Sequence, residues 1–428
     1  MVLSKKELLE RLNCDKLSVR LDALRRLCEL EEWTEAESNG QFEDVNNHIH
    51  TKYSFSPYYP AAAVWMSKKA GLSTAGIVDH DSISGAKEFI EAGKIASLPV
   101  TIGTEVRASM KSTPIYGRRI NNPDQDSVIY MTLQGIPHTQ IDKVDAYLAP
   151  YRAKRDERNR KMTKVLQNMF SPYGIDLCYD GDVIPLSRSC EGGSVTERHI
   201  LFALSLNMIK AIGKGEKLVS FLKNKVELNV SSKIEDFLSD EENPHYEYDL
   251  LGLLKGELVA KFYIDADEEC PPVREIIAFA KEIGAISAYA YLGDVGDSVT
   301  GDKRAQKFED DYLPLLFDTL ADLGFDAVTY MPSRNTPAQL ANVRMYCDKY
   351  GLLQISGEDI NSPRQKFVCE KMRSKEFANL VSAAWMLIGH ENEATKCLEN
   401  AITSDKTIKS MPDISERVAH YEVIGRKL

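Results

Sequence analysis

The chain has 428 residues, 43% of them hydrophobic and 27% charged, with a formal net charge of −11. That balance reads as a globular protein with more chain than one ordinary domain uses, so two structural units or a large domain with insertions. The acidic charge argues against non-specific binding to a polyanion such as DNA, and no run approaches the roughly 18 apolar residues of a membrane helix.

Residues 1–43 read as helices ending in a linker. The stretch Met1–Leu12 carries charges throughout and does not have the pattern of a signal peptide. Ser4 predicts an N-cap for a helix over 5–12, and Asp15 or Ser18 one for a helix over 19–32. Leu24, Leu27 and Leu30 lie near helical spacing, which predicts a face packed on the rest of the chain or on a second copy. Glu37-Ser-Asn-Gly40 reads as a short polar linker.

Next comes Val45–Phe55, a strand-like run that holds His48 and His50. Alternate residues of a strand share a face, so the two imidazoles converge. Two neutral imidazoles aimed at one point are half of a transition-metal site. A helix is predicted over 59–69, then an apolar run from Ala75 into Asp79-His80-Asp81. A second helix over 85–97 leads to the run Leu98–Val106, which holds Glu105. Strand–helix–strand alternation implies parallel strands, and in a β/α barrel their carboxyl ends open on one face. His48, His50, His80 and Glu105 are therefore expected around one mouth, with Asp79 and Asp81 as partners that orient an imidazole.

Downstream, Ser127–Leu133 reads as a strand and Tyr151–Lys164 is densely basic. Residues 155–272 are largely helical, with a charged stretch, Ser231–Glu247, of little periodicity. Strands return at 286–291, 327–331 and 353–356, and the tail from Arg364 is helical, with an amphipathic segment over 377–388. The expected organisation is N-terminal helices (1–43), a first half-barrel (44–154), a helical insert (155–272), a second half-barrel (273–370) and C-terminal helices (371–428). His138, in a turn-like context, reads as a surface residue, and His245, His390 and His420 as non-ligands in polar or helical surroundings. Eight cysteines without a C-x-x-C pair read as reduced thiols of a cytoplasmic protein.

The segments H-I-H-T, D-H-D-S-I-S-G-A-K-E and I-G-T-E-V together resemble the amino-terminal motifs of the PHP (polymerase and histidinol phosphatase) superfamily. Arg158–Leu166 resembles a helix motif of that family's insert, and Ser194–Ile200 one that supplies a further histidine, His199. Gln354–Asn361 sits where the family has its closing G-S-D-x-H. The resemblance implies an α/β fold: a distorted (β/α)7 TIM-like barrel with a helical insert and flanking N- and C-terminal helices. It also implies hydrolysis of phosphate esters with manganese, zinc or iron.

The chain departs from the pattern at several ligand positions. Phe55 stands where the family has an aspartate, Asn361 where it has a histidine, and Tyr130 where a further histidine is expected. Tyr289 and Tyr291 fall near another. By this likeness His48, His50, Glu105 and Asp359 complete one divalent-metal site. A second would share Glu105 with His199 but lack a histidine, since Tyr130 could ligate only as a phenolate, with its pKa of about 10 lowered. A third site is lost with Phe55 and Asn361, which leaves His80 without its co-ligands, as a general acid or a phosphate contact.

The function expected is a metal-dependent phosphoesterase acting on a small phosphorylated metabolite through a metal-bound hydroxide. Arg198 and one of Arg158 or Arg160 would take the phosphate, because a guanidinium suits bidentate contact. The rival is a degenerate, non-catalytic PHP module with a ligand-binding or assembly role, favoured by the altered positions. Neither a membrane nor a nucleic-acid partner is expected, and the helices at both ends offer surfaces for a homodimer.

Overall fold

The computed structural model describes residues 3–30, 42–295 and 306–428. The linker expected at 37–40, and the end of the second predicted helix, lie outside them. The chain opens with α1 (Lys5–Arg11) and α2 (Leu17–Leu30). Ser4 caps α1 as expected: its hydroxyl accepts the Glu7 N–H while the Glu7 carboxylate accepts the Ser4 N–H. The second helix starts at Leu17, so neither Asp15 nor Ser18 caps it. Asp15 instead accepts the Tyr59 hydroxyl. Leu24 and Leu27 are fully buried, whereas Leu30 is 58% exposed.

Seven strands then alternate with helices: β1 (Asp44–Ile49), α3 (Pro60–Lys69), β2 (Leu72–His80), α4 (Ala86–Ala96), β3 (Val100–Ser109) and β4 (Val128–Gln134). A helical block follows, of α5 (Ile141–Phe170), α6 (Glu197–Ile212), α7 (Glu216–Asn224), α8 (Ser232–Ser239) and α9 (Tyr246–Phe262). The sheet resumes with α10 (Val273–Ile283), β5 (Ile286–Ala290), α11 (Leu313–Leu323), β6 (Ala327–Tyr330), α12 (Pro337–Tyr350) and β7 (Leu353–Ser356). The end is α13 (Ala378–Lys396), α14 (Asp405–Ser410) and α15 (Ile414–Gly425).

Strand order follows sequence order. Pairs β1–β2, β2–β3, β5–β6 and β6–β7 are parallel, but β4 is antiparallel to both β3 and β5. That reversed strand interrupts the β/α repeat. Residues 110–127 join β3 to β4 without a helix, so no crossover carries the chain back. The sheet nearly closes: the Ile360 N–H donates to the His48 carbonyl, and the His50 N–H to the Ile360 carbonyl. This seam lies just past β7.

One apolar core fills the barrel and the helices around it, and a second belongs to the helical block. The block begins earlier than expected, because α5 is one continuous helix from Ile141 and residue 155 falls inside it. Phe55, in the loop after β1, packs into the block's core, with its ring against Phe202 and Tyr248. In the tail α13 and α15 cross at Gly389 and Gly425, where a side chain on either glycine would strike the other helix's backbone. His390 lies within α13, in helical surroundings, and is fully buried, accepting the Ile402 N–H at Nδ1. Among the described residues, no helix is long and apolar enough to cross a membrane.

Candidate metal centre

Strand β1 ends at the seam, and its alternation brings His48 and His50 to one side, as the period of two predicts. β2 delivers His80 at its last position, in register with Glu105 of β3. Asp359 comes from the other lip of the seam, one residue before Ile360. Nitrogen and oxygen atoms of His48, His50 and Asp359 lie within 4.8 Å of one another, and so do those of His50, His80 and Glu105. His50 belongs to both groups, so the five residues form one cluster.

Contacts inside it are close but poorly satisfied. His48 Nε2 and His50 Nε2 each lie 3.7 Å from Glu105 Oε2, and His50 Nε2 is 3.3 Å from Asp359 Oδ1. His80 Nδ1 lies 2.9 Å from Glu105 Oε2, and its ring stacks on His50 with centroids 4.5 Å apart. His80 thus stands within the cluster rather than apart from co-ligands. His48 Nδ1 and His50 Nε2 are buried without a hydrogen-bond partner among the described residues.

A chain of hydrogen bonds fixes which nitrogen of His50 faces inward. Asp79 accepts the Thr51 N–H and both the Thr51 and Ser54 hydroxyls, each at 2.6 Å. With its proton given to Asp79, Ser54 Oγ is left as the acceptor for His50 Nδ1, 3.3 Å away. The lone pair of Nε2 is then free to face the carboxylates. Asp79 is therefore the orienting carboxylate that its position predicted, acting through a serine. Asp81 does a different job. It adopts a left-handed backbone (φ 48°), donates its N–H to the Glu105 carbonyl, and is ion-paired to Arg155.

Electrostatics point the same way. Burial alone would raise the pKa values of Glu105 and Asp359, yet neighbouring histidines hold both well below the usual carboxylate range. Burial would lower that of His50, but Asp359 and Glu105 outweigh it and the net shift is upward. His80 is lowered, chiefly by burial. Two ionised carboxylates among three imidazoles, with the buried Nε2 of His50 turned to both and without a hydrogen-bond partner among the described residues, make a donor set that fits a divalent cation such as zinc, manganese or iron.

The other predicted residues fall at different places. Asn361 does not offer a ligand in place of histidine. Its amide donates to both oxygens of Asp359, at 2.8 and 2.7 Å, and its carbonyl accepts Arg198 Nη1 at 2.6 Å. That is the one hydrogen bond of the Arg198 guanidinium among the described residues. Arg158 is buried and paired with Glu197 and Glu269. Arg160 is exposed and paired through both of its end nitrogens with Asp180. Neither leaves a fork for a phosphate.

Tyr130 lies beside His80, with ring centroids 5.9 Å apart. Burial, against the pull of Arg107, holds its phenol well above its usual pKa, the reverse of what ligation needs. Tyr289 is buried on β5 and donates to Glu309, and Tyr291 donates to Asp310, so both hydroxyls are used locally. Glu358 is turned to the Ser333 N–H and hydroxyl. His138 pairs with Glu391, 2.7 Å away. His199 lies in neither ligand group among the described residues.

Two features escaped the sequence reading. Ser54 carried no recognisable signal. Arg107 did: it sits two residues past Glu105 on one strand, hence on the same face. With Arg155 and Arg158 it faces Glu197 and Glu269 in a buried ionic network joining β3 to α5 and α6.

No family model matches the chain, and no curated protein does. Among solved structures it is similar to a Bifidobacterium adolescentis protein assigned as a metal-dependent phosphoesterase. Identity is 20%, over 80% of this chain and 95% of that one, with a TM-score of 0.52. An amidohydrolase from Chromobacterium violaceum, solved with sulfate and no metal, is similar at 16% identity. That match covers 80% of this chain and 96% of that one, with a TM-score of 0.49. The likeness is one of fold. What the centre can do rests on the residues themselves.

Proposed function

We propose that this chain is a metal-dependent phosphoesterase acting on a small phosphorylated metabolite. The observation that carries the reading is the convergence of three histidines and two carboxylates beside an arginine with unused donors. His48, His50, Glu105 and Asp359 would hold a divalent ion, with His80 at their edge. Such an ion, when bound, supplies a Lewis acid for a phosphoryl oxygen and acidifies water towards a pKa of about 7.

The chain's own groups do the rest. Asp79 and Ser54 keep the His50 proton on Nδ1, so Nε2 stays an acceptor. Asn361 holds both oxygens of Asp359 and links them to Arg198. That guanidinium, with one N–H spent, has donors left for two oxygens of a phosphate. Because burial keeps His80 neutral at pH 7 beside Glu105, it can exchange a proton near the reacting group.

Metal stoichiometry by elemental mass spectrometry, on tag-free protein purified without chelators, is the first test. At least one tightly held transition-metal ion per chain is expected, lost in His48→Ala, with ion-dependent phosphate release in a phosphomonoester screen. A chain that takes up neither manganese, zinc nor iron would remove this reading and leave the non-catalytic module.

A further inference from the structure

The N-terminal turn of α6 carries Glu197, Arg198 and His199 in succession, and the three side chains have separate tasks. Glu197 is neutralised by Arg107, Arg155 and Arg158. Arg198 reaches Asn361. His199 turns back on its own helix, where its Nδ1 takes the Thr196 N–H at 3.0 Å. In this capping box an imidazole stands in for the usual glutamate or glutamine at the third helical position.

That contact decides the tautomer. A hydroxyl, such as that of Thr196 at 3.2 Å, can donate or accept, but a backbone N–H can only donate. Nδ1 of His199 therefore carries the lone pair, and the proton of the neutral ring sits on Nε2. A histidine that ligates an ion through Nε2 needs the opposite arrangement, with its proton on Nδ1 donated to a partner. His50, whose Nδ1 faces Ser54, has that arrangement; His199 does not. We propose that His199 serves this centre as a fixed hydrogen-bond donor, through Nε2–H, to an anionic oxygen of the substrate, and not as an ion ligand.

Four further observations agree. His199 is outside both groups of converging ligand atoms among the described residues. Phe55 packs its ring at right angles to the imidazole, centroids 5.0 Å apart, so an apolar group supports the ring on the side towards the helical block. Burial, reinforced by Arg155, brings its pKa down to about 3, so the ring stays neutral and its one proton stays on Nε2. Nε2 has no protein partner among the described residues. Beside it, Arg198 supplies positive charge and further donors. On this proposal the two residues would each meet the substrate's oxyanion from one helix turn, with His199 outside the ligand groups.

The inference rests on the phosphoesterase reading for the identity of the acceptor, and its test does not need turnover. Glutamine at 199 keeps an oxygen to accept the Thr196 N–H and an amide to donate. Glutamate keeps the cap and offers an ion ligand, but has no donor and adds negative charge. Mn2+ binding by calorimetry should be unchanged in His199→Gln, and inorganic phosphate should bind within about threefold of the parent. His199→Glu should bind phosphate at least about tenfold more weakly, since a hydrogen bond to a charged group is lost. Loss of one ion per chain in His199→Gln, or phosphate binding at the parent level in His199→Glu, would overturn the proposal. Nitrogen-detected spectra of the histidine rings give an independent check: Nε2 of His199 should stay protonated with and without Zn2+, and a switch to protonated Nδ1 would refute it. If the parent takes up no ion at all, the phosphoesterase reading fails, while the ring spectra and the phosphate titrations still decide the role of His199.

Discussion

Buried imidazoles respond to pH in directions set by what surrounds each ring. Burial takes His199 down to about 3 and His390 down to about 4, and lowers His80 as well. An unfolded chain takes up these protons near pH 6.5, whereas the folded one resists. Their contribution to stability is therefore full above about pH 6.5 and is lost as pH falls towards the folded values. His50 works in the other window: its raised pKa contributes below about 6.5 and is lost as pH rises through the folded value. Between about pH 6.5 and 5 the lowered group decides, and His199 and His390 each cost on the order of 2 kcal/mol. Urea unfolding of ion-free protein at pH 7 and pH 5 checks this; equal midpoints would contradict the burial of these rings.

At this scale the sequence told much about which residues meet and less about how they are held. His48, His50, His80 and Glu105 were legible because period-two alternation and strand ends are local rules. Asp359 was legible through resemblance alone. The Ser54 link between His50 and Asp79 was not, because no spacing distinguishes an orienting hydroxyl from any loop serine. The acids paired with Arg158 and Arg160 were not legible for a related reason: a basic run shows charge but not what neutralises it, and Glu197, Glu269 and Asp180 lie elsewhere in the chain.

Among the elements, the ionic network that clamps α5 and α6 to β3 is the part most exposed to a single change. Glu197 faces three arginines, of which Arg107 and Arg155 each have a buried Nε without a partner. Removing its charge in Glu197→Gln leaves those cations under-compensated, and breaking such a buried arrangement typically costs about 3–5 kcal/mol. Denaturant unfolding should show a loss of that order, together with weaker phosphate binding, because Arg198 and His199 ride on the same turn. Wild-type stability in this variant would show that the network is not holding the helix. Most of these elements were legible from periodicity, and β5, β6 and β7 fall within a residue of where they were expected. The reversed β4 was missed although a signal existed. Residues 110–126, rich in proline, asparagine and charge, hold no helical period, and a parallel crossover needs one.

Taken whole, the molecule holds a nearly closed barrel, in which the end of β1 meets the residues just past β7 through Ile49 and Ile360 at the seam. His48 and His50 stand on one lip and Asp359 on the other, with the entire barrel and helical block between them in sequence. An ion shared by both lips is then a removable cross-link that closes a loop running through the whole barrel, in the manner of a disulfide that a chelator can undo. Binding energy at such a place is folding energy: at a hundredfold excess over the dissociation constant it adds about 2.7 kcal/mol. The amide protons of His50 and Ile360, which stitch the lips together, should therefore exchange up to about a hundredfold more slowly when Mn2+ is added. Unchanged exchange at those two amides would mean that the ion sits on one lip alone. If the cross-link is real, stripping the ion does more than silence the chemistry: it unfastens the barrel at its weakest line.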